Sequence, residues 1–203
     1  MTPVVRFILL SLLLIARVTS AAQTSLTARP AAAPRTTATA ELDAGAPSVV
    51  AVPVVTGSAM SKDDAQQALD FHNRVRREVG TSPLTWSVEL AAYAQQWANH
   101  LAGENCRMQH RPPEWGETPG ENLFFGGLAV NAVNEALAGW YAEKQQYRGD
   151  PITLENFLFI GHYTQMVWNS TREFGIGLAP CPGGSTVVVA NYKAGQIVGR
   201  RPY

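Results

Sequence analysis

The chain has 203 residues, 46% of them apolar, with 16 Lys plus Arg against 16 Asp plus Glu and no net formal charge at pH 7. That balance gives no electrostatic case for nucleic acid, which needs a clustered basic surface. The cations are scattered, and the short run "RVRRE" reads as a solvated helix face.

The opening "MTPVVRFILLSLLLIARVTSAAQ" places one early cation, Arg6, before an apolar run from Phe7 to Ala16 and small residues around Ser20, Ala21 and Ala22. This pattern predicts a secretory signal peptide over 1–22, cleaved near Ala22, with an uncleaved anchor as the alternative. The run is short of the roughly 20 residues that span a bilayer, and no second apolar span follows. The mature protein is expected to be secreted, extracellular and without a membrane span. Residues 23–60 are dominated by Ala, Thr, Pro, Ser and Gly. Such a segment has too little bulky apolar surface to offset the entropy of ordering it. It is read as a disordered tether or pro-region, and a tether could present the domain from a cell wall. Pro47 and Pro53 argue against a central strand in "PSVVAVPVV". The folded domain is expected over 61–203.

Within the domain, Ser61 is placed to cap a first helix, with Asp63 and Asp64 in its first turn. Ala65, Leu69, His72, Val75 and Val79 recur at three- and four-residue spacing, and Gly80 follows as a stop. His72 thus falls on the buried stripe, where a hydrogen-bonded core histidine is the expected role. Ser87 caps a second helix whose inner face carries Leu90, Ala94, Trp97 and Leu101, with Gly103 at its end. A Pro- and Gly-rich stretch follows, in which "NLFF" suits a short strand. A third helix is predicted from Val130 to Tyr147, with Glu143 one turn beyond Trp140 at the border of the apolar face. In "GHYTQMVWNSTREFGIG", His162 and Gln165 lie at helical spacing beside an apolar run. "EFGIGLAP" and "STVVVANY" then read as two antiparallel strands with one buried face. This order gives an α+β layered domain.

The two cysteines, Cys106 and Cys181, form an even pair in a secreted chain and point to one disulfide, with two free thiols as the alternative. Such a bridge ties the end of the second helix to the hairpin and has a ceiling of ~4.5 kcal/mol in the chain-entropy model. There is no G-x-S-x-G elbow, no H-E-x-x-H helix and no phosphate-cradling loop. His110, Glu121, Glu143 and His162 remain as polar residues that apolar packing leaves unexplained. Asn169 in "NST" is an N-glycosylation acceptor in a eukaryotic host, or else it and Ser170 simply close the helix.

Four separated stretches, "FHNRVRREVGTSPLTWSVELAAYAQQWA", "GENLFFGG", "GHYTQMVWNSTREFGIG" and "NYKAGQIVGRRPY", occur in the order of the CAP superfamily. That superfamily comprises cysteine-rich secretory proteins, antigen 5 and pathogenesis-related class 1 proteins, and the chain resembles it from Asp64 to Tyr203. The resemblance implies a three-layer α-β-α sandwich with a small antiparallel sheet between helix layers. It also implies a cleft lined by two histidines and two glutamates, which fall on His110, His162, Glu121 and Glu143. Relatives can bind a divalent metal such as zinc through the two histidines, with the glutamates close by, and the resemblance implies zinc or another divalent metal held weakly here. Neutral imidazole suits Zn²⁺, but two protein ligands are fewer than the three usual in catalytic zinc sites. Mutual His–Glu pairing as structural stitching is the competing role.

The function implied is a secreted binding protein for sterol or fatty acid, with a defence or host-interaction role and more a binder than an enzyme. The alternative is a metal-dependent hydrolase with Glu121 or Glu143 as base. The chain departs from the family at Ile176 and Ala190, where relatives carry a second cysteine pair. The insertion "RPPEWGETP" also lengthens a cleft loop.

Overall fold

A computed structural model describes residues 50–115 and 119–203. The signal peptide, the tether up to residue 49 and part of the inserted loop lie outside the described residues. The described part belongs to a compact unit spanning Pro47–Tyr203.

The first helix, α1, runs Lys62–Glu78 and starts as its sequence predicts: Ser61 accepts a hydrogen bond from the Asp64 amide. Ala65, Ala68, Leu69, His72 and Val75 form its buried stripe. The short strand β1, Thr85–Trp86, precedes α2, Val88–Gly103, which Ser87 caps through the Leu90 amide. Strand β2 covers Gly120–Gly126. Helix α3 covers Ala132–Ala142 and tightens into a 3-10 turn at Glu143–Gln145, so it is shorter than the predicted Val130–Tyr147. Helix α4 covers Phe157–Met166, followed by β3, Glu173–Pro180, and β4, Thr186–Tyr192.

The strands order as β1-β3-β4-β2. β4 pairs antiparallel with β2 and β3, whereas β1 joins β3 in parallel, so the small sheet is mixed at one edge. Side chains of β4 alternate between two cores. Val188, Ala190 and Tyr192 meet α1, α3 and α4, while Val187 and Val189 meet α2. A central strand flanked by helices must be apolar on both faces. β4 is buried throughout, where one buried face was expected.

Helix α2 approaches β3 closely enough to exclude side chains there. A Cβ on Gly175 would sit 2.2 Å from the Ala91 nitrogen, and one on Gly177 would sit 2.3 Å from the Gln95 nitrogen. The alternation in "EFGIG" is therefore a backbone-contact pattern on the α2 face. Cys106 and Cys181 are bonded, joining the end of α2 to the β3–β4 turn across 75 residues. Ile176 and Ala190 are direct cross-strand partners, so the two positions that the resemblance marks as a missing cysteine pair face each other as an apolar pair.

Two expectations need correction. Residues 50–60 pack on the domain: Val52 and Met60 are buried in the core, the Trp86 indole donates to the Thr56 carbonyl, and Gln66 bonds the backbone of Val50 and Val52. Proline bars this segment from a ladder but not from docking as an irregular, bent strap. Arg76, in the run read as solvated, is fully buried. Its guanidinium donates to the carbonyls of Ser82, Met166, Trp168 and Thr171, satisfying the C-terminal end of α4.

Candidate functional site

Two imidazole–carboxylate pairs converge on one cleft. His110 follows the bridged end of α2, and Glu121 lies on β2, where its carboxylate is held in place. Glu121 Oε1 sits 2.7 Å from His110 Nδ1 and accepts the Arg111 amide at 3.1 Å, while Oε2 accepts from Asn191 Nδ2 at 3.3 Å. The second pair links α3 to α4. Shortening of α3 places Glu143 in the 3-10 turn, where Oε1 lies 2.6 Å from His162 Nδ1. Its Oε2 accepts the backbone amides of His162 and Tyr163 at 2.8 and 3.1 Å.

Both histidines line a cavity of about 130 Å³, together with Asn122, Phe157, Gly161 and Gln196. The side chains of His110 and His162 are 61% and 38% exposed, while Glu121 and Glu143 are 8% and 16% exposed. Each carboxylate thus lies beneath an accessible ring. A carboxylate facing Nδ1 selects the tautomer with the proton there, which leaves Nε2 as the free lone pair. The His162 ring also stacks near Trp140, with centroids 6.2 Å apart. Asn122 ties the cleft to the core by donating to the His162 carbonyl and the Tyr192 hydroxyl.

The structure brings together all four residues singled out from the sequence, as two pairs. Among the described residues no group of three or more His, Cys, Asp or Glu side chains is set to hold a metal. Asn169 is exposed just after α4, with its amide donating to the Pro202 carbonyl. Sequence reasoning passed over Arg111, Asn191 and Gln196, which line a larger adjoining cavity. Arg111 had one available signal, an unexplained cation beside His110; Asn191 and Gln196 had none, since strand register and chain return place them.

The sequence matches the cysteine-rich secretory protein, or CAP, family over residues 69–192. The chain belongs to this family. Pathogenesis-related protein 1C of Nicotiana tabacum is 35% identical over 151 residues, covering 74% of this chain and 87% of its own. A pathogenesis-related protein of PR-1 type from Sambucus nigra is 34% identical over 157 residues, covering 76% and 90%. Among solved structures, that of NaASP2 with Zn²⁺ aligns at a TM-score of 0.62 and 25% identity, covering 71% of this chain and 86% of that one. The CAP fold accounts for the α-β-α layering. Among the described residues no helix is long and apolar enough to cross a membrane.

The donor set of this CAP domain suits a cation held by two imidazoles and completed by water, since both Nδ1 atoms are already satisfied. It does not suit a three-ligand catalytic centre.

Proposed function

We propose that this CAP protein is a secreted defence-type protein whose cleft holds a divalent cation, zinc among them, on His110 and His162. The observation that carries this reading is the seating of each ring against a carboxylate through Nδ1, the arrangement that orients and enriches a metal-binding imidazole. The pathogenesis-related names of its relatives support the defence role, and the zinc of NaASP2 supports the ion. A bound cation would supply Lewis acidity and an activated water. The residues themselves favour binding over hydrolysis. Glu121 and Glu143 are committed to imidazole and backbone N–H groups, so neither is left free as a general base. Zinc titration by calorimetry tests the reading. His162→Ala should lower affinity at least tenfold while the melting temperature holds, and Glu143→Gln should lower it about 10- to 100-fold by loosening the ring. Unchanged affinity in His162→Ala would exclude the site.

A lipid role has its own support. A cavity of about 370 Å³ between α1 and α3 has Phe71, Ala138 and Tyr141 on its walls, and Arg74 and Lys144 at its edge. Lys144 is paired with Glu78 at 2.7 Å and Arg74 lies over the Phe71 ring; apolar walls beside the Arg74 cation suit a fatty acid better than a sterol. Ala138→Trp, at an exposed position, should abolish palmitate binding and leave zinc affinity intact. Equal palmitate binding by that variant would remove this cavity from consideration.

A further inference from the structure

The cavity adjoining the histidine cleft holds hydrogen-bonding capacity that the protein leaves unused. It has a volume of about 410 Å³ and is lined by Tyr93, Arg111, Gln165, Asn191 and Gln196, with Phe157 and Val198 as apolar walls. Arg111 is only 8% exposed. Its guanidinium lies 3.5 Å over the Tyr93 ring, and Nη2 donates to the Tyr93 carbonyl, so the group is held rigidly. Among the described residues its Nε–H has no partner and no carboxylate pairs with the guanidinium.

Asn191 is 1% exposed. Its Nδ2 donates to Glu121 Oε2 and the Gly120 carbonyl, both obligate acceptors, which fixes the orientation of the amide. Among the described residues its Oδ1 is left without a partner. Arg111 and Asn191, both in the cavity lining, thus carry one unspent donor on a cation and one unspent acceptor, each atom itself almost fully shielded from solvent. Glu121 lines the same cavity, but its two oxygens are taken by His110, the Arg111 amide and Asn191.

We propose that this cavity binds a small carboxylate with an N–H or O–H donor close by, as on an N-acylated amino acid or the C-terminal residue of a peptide. The carboxylate pairs with Arg111, whose planar fork matches it, and the donor meets Asn191 Oδ1. The volume lies in the range of small-ligand pockets. Phe157 and Val198 provide the apolar surface for the attached side chain.

The test is a titration of the full chain, followed by NMR in the presence of chelator. The probes are N-acetyl-leucine, its C-terminal amide, and Ala-Ala-Leu. The acid should bind saturably and shift the Arg111 Nε–H and Asn191 side-chain resonances. The amide should bind at least tenfold more weakly, and Arg111→Gln should weaken the acid by a similar factor. Tighter binding of the tripeptide than of N-acetyl-leucine identifies a peptide terminus as the source; the reverse order identifies a small free acid. Equal binding of acid and amide by the unmodified chain, or no binding of the acid at millimolar concentration, overturns the proposal whether or not the variant folds. Because chelator is present, this outcome is independent of the zinc result.

Discussion

His72 sits in the core with Nδ1 donating to the Ala68 carbonyl at 2.8 Å and Nε2 accepting from the Tyr192 hydroxyl at 2.9 Å. Burial lowers its pKa from 6.5 to about 4. The unfolded chain takes up this proton as pH falls through about 6.5, while the folded chain holds out until about 4. Stability linked to His72 is therefore intact above pH 6.5 and is lost as pH falls toward 4, by about 3 kcal/mol in all. Urea unfolding at pH 7.5 and 4.5 should show the midpoint dropping. His72→Gln should be weaker at pH 7.5 but flatter across that window, and parallel pH profiles for the two proteins would refute the assignment. The sequence placed His72 correctly because helical periodicity exposes a buried stripe. It misplaced Arg76 one turn later, because periodicity cannot register that the carbonyls at the end of α4 need a donor.

At the scale of elements, the contact of α2 with β3 is the tightest constraint in the domain. Ala91 and Ala94 on the helix meet Gly175 and Gly177 on the strand, and these small residues allow backbone to touch backbone. Gly175→Ala places a methyl where the α2 main chain lies, so helix and strand must separate. The expected loss is roughly 3 kcal/mol or more, read as a lower urea midpoint. Gly183→Ala in the β3–β4 turn meets no atoms within 4 Å and separates the effect of crowding from that of losing a glycine, since its cost is confined to its positive φ of 78°. A small effect at Gly175 would show that α2 can shift on the sheet. The alternation of "EFGIG" signalled a strand correctly. It could not reveal whether glycine served a turn, a bulge or a close approach, because only the neighbouring element distinguishes these. The third helix shows the converse: its apolar periodicity runs to Tyr147, yet a 3-10 turn from Glu143 ends the regular helix and delivers the carboxylate to α4.

For the whole molecule, the strap at 50–60 decides where the domain begins. It contributes Val52 and Met60 to the core and the Thr56 carbonyl to Trp86. A chain starting at Ser61 should lose roughly 3–5 kcal/mol against one starting at Val50, from two buried side chains and an orphaned indole N–H. Matching urea curves for the two chains would show the strap to be dispensable. The sequence by itself determined the helix starts, through Ser61 and Ser87, the strand pair, the disulfide and the family, because caps, periodicity and paired cysteines are local or countable signals. It also singled out the four cleft residues, but joined them into one cleft only by resemblance, since they are spread from His110 to His162. Tertiary structure alone decided that these form two His–Glu pairs, that Arg76 is buried, that the strap docks and that Arg111 and Asn191 share a cavity. Each of those facts depends on a partner distant in sequence, and the burial that sets its energy exists only once the layers have packed.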